Sequence, residues 1–227
     1  VTPGVALNDD LLTAKNNIFL CAVHFGRNKL GVSFLDISTG EYLCSEGSVE
    51  QVDKLLQNFS PNEVLVSKNH KKDFVECFGK HFHSFFLEDW IFQEDYAEER
   101  LNQHFGTKTL KGFGVDHLNH GIIASGAVLH YLSETQHSRL QHINSIQRIA
   151  EEEYIWMDRF TIRNLELYQS SHQNAVTLLD IIDKTLSPMG GRLLKRWLAL
   201  PLKNVEKIQQ RHQVVAHLKS KESQLNR

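Results

Sequence analysis

Residues 17–67 constrain the fold more than any other stretch of this chain. "NIFLCAVHF" is apolar and β-prone, "KLGVSFLDISTG" alternates, and "EYLCSEG" follows a turn at Thr39-Gly40. Three strand signals thus arrive in close succession. Gly26-Arg27-Asn28 joins the first two over a distance short enough for a hairpin. Ser48 with Gln51 three residues on makes a capping box, each side chain taking the other residue's backbone N–H. It opens a helix over "VEQVDKLLQNF", with Val49, Val52, Leu55, Leu56 and Phe59 on one face. Ser60-Pro61-Asn62 stops that helix, because proline cannot continue it. "EVLVS" then reads as a short buried strand, parallel to its neighbour because a helix intervenes.

A helix near Asn69–Phe78, a strand "HFHSFFL" and a helix over Trp90–Phe105 continue the alternation. Strands interleaved with helices give an α/β layer domain, which the sequence bounds at residues 1–116. After "GFGVD" the texture changes. "HGIIASGAVLHYLSETQ" has apolar residues at 122, 123, 127, 128, 129 and 132, a long helix with small residues on one side. Asp158 is an N-cap for a helix packing Ile162, Leu165 and Tyr168. Ser187-Pro188 is a cap followed by proline at the first helical position. Leu193, Leu194, Trp197 and Leu198 form the apolar face there, and Pro201 ends it. Asn204 caps a last helix with Val205, Ile208, Val215 and Leu218 inward. Residues 117–227 are therefore expected to form an all-α domain.

A hydrophobic content of 41% with 23% charged residues is that of a globular protein. No run approaches the ~18 apolar residues of a membrane helix. The first ten residues have neither a basic nor an apolar signal region, and Val1 in place of methionine reads as a piece of something longer. Cys21, Cys44 and Cys77 lie far apart without a CxxC, which reads as reduced thiols in the cytoplasm. The net charge of −2 hides an asymmetry. Lys184–Arg227 holds ten Lys/Arg and two Asp/Glu, a balance of +8, against −10 in residues 1–183. The basic end is expected to face something negative, nucleic acid or an acidic neighbour, or else to be a set of solvated helix faces.

Catalytic motifs do not appear. Gly79-Lys80 lacks the leading glycine and the Ser/Thr of a phosphate loop, and Gly112, Gly114 and Gly121 do not fit GxGxxG. His81 with His83, and His117 with His120, have no third ligand at recognisable spacing, so no metal site is expected. Three strands, a helix and a parallel strand resemble the start of a ribonuclease-H-like layer. Enzymes of that shape need carboxylates on the first strand and nearby to hold two metal ions ~4 Å apart. Here the first strand has none, and Asp36 stands alone before a turn, suited to local hydrogen bonding. No catalytic residue and no cofactor is expected.

Asp158, Arg163, Asn164 and Glu166 remain, at helical spacing that puts 163 and 166 on one face and 158 and 162 on another. They lack a nucleophile or a tuned histidine, and read as structural polar residues. Arg192, Lys195, Arg196, Lys203 and Lys207 are candidate contacts to a nucleic-acid backbone. Leu193, Leu194 and Trp197 among them look like core and not like a stacking platform.

"DRFTIRNLEL" (158–167), "LLDIIDKT" (178–185) and "MGGRLLKRWLALPL" (189–202) resemble the core of the bacterial mismatch-repair MutS family. Upstream, "TPGV" (2–5), "LDISTGE" (35–41) and "GFGVD" (112–116) are similar to the same family's run, in the same order. The resemblance covers nearly the whole chain. It implies that the segment after "TPG" is a connector domain, ribonuclease-H-like but without catalytic acids. The region after "GFGV" would begin the helical core or lever domain. That family forms a dimeric clamp on mismatched double-stranded DNA and uses ATP with Mg to signal to its partner MutL, which the connector is thought to meet. Its mismatch reader, a Phe-x-Glu wedge, lies N-terminal of "TPGV", so this stretch is expected to lack it. The clamp and the ATPase would lie beyond Arg227, so the piece is expected to be no enzyme itself. The resemblance makes it a docking and signal-transmitting module, with Asp158, Arg163, Asn164 and Glu166 fixing the joint between connector and lever. The alternative is direct, non-specific contact of the basic helices with DNA.

Overall fold

The computed structural model describes residues 18–135, 140–149, 151–168 and 175–221. The "TPGV" motif, the tail of "MDRFTIRNLELYQSS" from Gln169 and the last six residues lie outside them. The described residues fall into two compact units, one within Val1–Ile149 with Thr185–Arg192, the other within Ala150–Lys184 with Leu193–Arg227.

The first unit is built on a mixed sheet of six strands: β1 (Phe19–Phe25), β2 (Leu30–Asp36), β3 (Glu41–Gly47), β4 (Glu63–Ser67), β5 (Ser84–Leu87) and β6 (Gln147–Arg148). Their order is β5-β4-β1-β2-β3-β6. β1, β2 and β3 form an antiparallel meander, while β4 runs parallel to β1 and β5 parallel to β4. β2 is buried along all seven residues, as a central strand covered on both faces must be. The expected hairpin and the parallel strand are both present.

Helix α1 (Val49–Phe59) starts at the Ser48–Gln51 capping box and ends at Ser60, which takes a left-handed conformation. It buries Val52, Leu55 and Leu56, and Phe59 stacks on Phe34 of β2 with ring centroids 4.5 Å apart. Val49 stays exposed. α2 (Lys71–Phe78) buries Phe74 and Phe78. A single turn at Asp89–Phe92 precedes α3 (Glu94–Phe105), so the helix expected from Trp90 starts later.

The opposite face is covered by α4 (Asn119–Glu134), which packs on β1, β2, β3 and α3. Every residue from Gly121 to Leu132 is buried, as befits a helix apolar all round. Gly126 makes the α3 crossing close: a Cβ there would stand 2.5 Å from the Cα of Ala97. The boundary expected at residue 116 therefore falls inside this unit. α4 supplies Ile122, Ala124, Ala127 and Val128 to the same core as Leu20, Leu35 and Leu65, and cannot be assigned to a separate helical domain.

In the second unit, Tyr154 bridges Leu202 in antiparallel fashion, and the Ile155 N–H donates to the Pro201 carbonyl at 2.7 Å. α5 (Arg159–Asn164) is capped by Asp158, whose Oδ1 accepts the Thr161 N–H at 2.7 Å. It is six residues long, shorter than the sequence spacing predicts, and Glu166 lies beyond it at a φ of 47°. Ile162 is buried, but Leu165 is 58% exposed because it falls in the turn after the helix. α6 (Leu178–Ile182) opens on a Thr177–Asp180 capping box. α7 (Pro188–Ala199), whose residues up to Arg192 group with the first unit, and α8 (Val205–Ser220) follow, with the Ser187 hydroxyl accepting the Gly190 N–H and Asn204 capping α8 as expected. The apolar faces differ from expectation: Leu193, Val205, Val215 and Leu218 are exposed, and Ile208 is only half-buried. Periodicity placed these residues on one side of each helix, where Leu194, Trp197, Leu198 and Ile208 are half-buried and the others stand exposed.

Candidate functional site

The sheet carries two buried carboxylates, and their placement limits what they can do. Asp36 closes β2; its Oδ1 accepts the Ser38 N–H at 2.9 Å, the Ser38 hydroxyl at 2.6 Å and the Thr39 N–H at 3.3 Å. It organises the turn into Gly40, whose φ of 74° suits glycine. Glu63 opens β4, 2% exposed, with His83 Nδ1 at 3.6 Å and the Tyr131 hydroxyl at 3.5 Å. Burial pushes its carboxyl up, against the opposing pull of His83 and Tyr131. Asp36 pairs with Phe19 and Glu63 with Leu20, neighbours on β1 whose side chains point to opposite faces. With β1 between them, their backbones stand roughly 10 Å apart at ordinary strand spacing. These two groups cannot clasp one pair of metal ions. Among the described residues no group of three His, Cys, Asp or Glu could hold a metal ion.

Three Phe-x-Glu triplets do occur, contrary to the expectation that the stretch lacks that pattern: Phe74-Val75-Glu76, Phe86-Leu87-Glu88 and Phe92-Gln93-Glu94. None projects as a wedge. Phe74, on α2, is fully buried. Phe86 lies under the Lys71 ammonium, 4.9 Å from its ring centre, and Glu88 pairs with Lys68. Phe92 is buried and stacks on His24.

The structure brings Asp158, Arg163, Asn164 and Glu166 into one capped turn, but not onto one helix face. Asp158, Arg163 and Asn164 are exposed, and Glu166 is half-buried. What this turn fixes is backbone. The Glu166 carbonyl accepts the Leu178 N–H at 2.8 Å and the Leu167 carbonyl accepts the Leu179 N–H at 2.9 Å. The end of α5 is thereby tied to the start of α6.

The basic residues differ from one another. Lys203 is exposed, while Arg192, Lys195 and Arg196 are half-buried. The Lys195 ammonium stands 5.9 Å from the Tyr168 ring centre, and burial pulls its pKa down. Arg196 is lowered by burial first and by neighbouring Arg211 second. Lys207 is bonded to Glu153. Sequence reasoning missed Arg211, whose guanidinium lies 4.3 Å over the Trp197 ring; a Trp and an Arg on successive helices carry no local signal of that contact.

Comparison with known proteins resolves what this arrangement belongs to. The family model described as MutS domain II matches residues 18–144, and the one described as MutS domain III matches residues 160–227. The DNA mismatch repair protein MutS of Christiangramia forsetii is 72% identical over 218 residues, covering 96% of this chain and 25% of that relative. The protein of the same name from Flavobacterium psychrophilum is 67% identical over 219 residues, again 96% of this chain and 25% of the relative. That from Bacteroides thetaiotaomicron is 53% identical over 217 residues with the same shares, 96% and 25%. The chain spans about a quarter of the length of the curated relatives it matches. The break between the two matched models, at 144–160, brackets the division between the two compact units at Ile149 and Ala150. By both models and by these relatives, the chain belongs to the MutS family of DNA mismatch repair proteins.

Proposed function

We propose that this chain is the connector and the first lever helices of a mismatch-recognition ATPase, a module that transmits signals and docks MutL without catalysis of its own. The observation that carries the reading is the succession of MutS domains II and III over residues 18–144 and 160–227. The strand order β5-β4-β1-β2-β3, with an antiparallel meander followed by a helical crossover to parallel β4, supports a ribonuclease-H-like connector. The opposite faces of Asp36 and Glu63 support a connector without two-metal chemistry. In this reading the full-length protein is a cytoplasmic homodimer on mismatched double-stranded DNA, and ATP and Mg belong to its ATPase part. The turn around Asp158, Arg163, Asn164 and Glu166 holds the path into the lever helices.

Direct phosphate contact by the basic helices is the weaker reading. Lys207 is already bonded to Glu153, and Lys195 and Arg196 are half-buried. Fluorescence anisotropy with matched and G·T-mismatched duplexes at low and moderate salt separates the two, run beside a pull-down with MutL. Retention of MutL with no duplex binding is expected. Duplex binding that falls steeply with salt and ignores the mismatch would assign phosphate contacts to these helices. Preference for the mismatch, or no retention of MutL, would overturn the reading.

A further inference from the structure

We propose that His24 and His120 form an acid-sensitive latch that fastens the β1–β2 hairpin to the first turn of α4. The inference stands apart from the family and rests on the first unit alone.

The two elements meet without room for a side chain. A Cβ on Gly31 would fall 1.9 Å from the His120 carbonyl oxygen and 2.6 Å from the Gly121 nitrogen. A Cβ on Gly26 would fall 2.4 Å from His120 Cε1 and 2.5 Å from its Nε2. The His120 ring is thus laid over the hairpin backbone. Its centroid is 5.4 Å from that of His24, and His24 in turn stacks on Phe92 at 6.1 Å with the planes 14° apart.

Both Nδ1 atoms are buried and have no hydrogen-bond partner. A neutral imidazole tolerates this, since one ring nitrogen carries no hydrogen. An imidazolium at His24 does not: a second N–H would be buried unbonded, and its charge would face the His120 ring. Burial accordingly pulls His24 down to about 4, with His120 and then His70 adding to the shift. The other charged groups around the pair are committed. On β3, Glu46 accepts the backbone N–H of His120 with one oxygen and the Lys29 ammonium of the hairpin with the other. His70 is held by Asp73 at 2.7 Å, and Asp89 accepts from Ser67 and Asn69. Arg27, Asp116 and His117 are exposed to solvent. The direct relief open to a protonated ring is to leave its partner for water, which parts the hairpin from α4.

The sign follows. With His24 near 4 when folded and 6.5 as its ordinary value, the closed latch binds the proton more weakly than the open one. Closure is complete above about 6.5 and weakens as pH falls from there toward 4.

Hydrogen exchange of the 227-residue chain between pH 7.5 and 4.5 tests this, with rates corrected for intrinsic exchange. Protection over residues 24–31 and 118–123 should fall by up to roughly tenfold per pH unit below 6.5, while residues 64–66 and 97–101 stay protected. His24→Phe, which keeps the stack on Phe92, should flatten that dependence, and His120→Leu is the second variant should the first not fold. A uniform loss of protection across the sheet, or no loss at the latch, overturns the proposal. So does an unchanged pH dependence in a folded variant. If neither variant folds, the local or uniform pattern of the unmodified chain decides.

Discussion

Tyr42 of β3 donates its hydroxyl hydrogen to the carbonyl of Ser125, in the middle of α4. Both residues are buried, and the Ser125 hydroxyl continues the path to Ser33 Oγ of β2 at 3.0 Å. One polar thread therefore ties α4 to two strands inside an apolar core. A buried tyrosine hydroxyl without its acceptor would carry a desolvation cost, and here it has one. Tyr42→Phe should lower the unfolding free energy by about 1 kcal/mol in urea titration. Deleting α4 altogether should do far more. A chain of residues 18–149 should melt cooperatively, whereas one ending at residue 116 should not, because the core of Leu20, Leu35 and Leu65 would lose its cover. A cooperative transition in the shorter chain would restore the domain boundary at 116.

Glu63 sets a pH dependence of opposite sign to that of the histidine latch. Its folded pKa is raised, first by burial, so the folded state holds the proton more tightly than the unfolded one. Its contribution is fully present below the ordinary value of 4.5 and is lost as pH rises through the folded value. Glu63→Gln keeps a group able to meet Tyr131 and removes the titration. The stability of the variant relative to the unmodified chain should climb from about pH 4.5 upward, by no more than ~1.4 kcal/mol per unit, and then level off. A flat difference between pH 4 and 7 would show that Glu63 is better solvated than its 2% exposure implies.

What the sequence disclosed and what it hid divide along a physical line. The Ser48–Gln51 capping box, the Asp158 and Asn204 caps and the order of the first strands are local. Each is written within a few residues, and each is where the pattern put it. α4 was legible as a helix but not as part of the sheet domain. A helix apolar all round reads the same under a sheet as inside a bundle, and only contacts with β2, some ninety residues away as in the Ser125–Ser33 bond, decide. α5 ends after six residues at Asn164, two positions before a left-handed Glu166, with neither glycine nor proline to announce it. Glu63 was missed because one acid at a strand start looks like a solvated edge. Tyr131, whose hydroxyl meets it in the buried site, lies 68 positions on.

The Asp158 cap offers a test of how much the candidate turn depends on α5. Asp158 Oδ1 takes the Thr161 N–H, one of the donors that the first turn of a helix leaves unpaired. Asp158→Ala should cost about 1 kcal/mol, and Asp158→Asn much less, since asparagine caps nearly as well. Equal losses in the two variants by thermal melting would mean that the charge of Asp158, and not its cap, is what matters. Arg163→Ala, which leaves the cap intact, should lower the melting temperature less than Asp158→Ala does.

Lys207 and Glu153 separate a structural from a nucleic-acid role for the basic helices. Lys207 lies in the first turn of α8, where its N–H is taken by Asn204 Oδ1 and where a positive charge opposes the helix dipole. Glu153, bonded to it, offsets that opposition. The two side chains are 44% and 34% exposed, so the pair should couple by only about 0.2–1 kcal/mol in a double-mutant cycle. The single variants should nonetheless differ. Glu153→Ala leaves a lysine unpaired at the positive end of α8 and should destabilise more than Lys207→Ala, which removes the misplaced charge. The difference should shrink in about 1 M salt, where the screening length is ~3 Å. Glu153→Gln also frees the lysine for phosphate. If α8 lay on DNA, that variant would bind duplex more tightly than the unmodified chain at low salt. We expect no gain in anisotropy, and a gain would make Lys207 a DNA contact and not a partner reserved for Glu153.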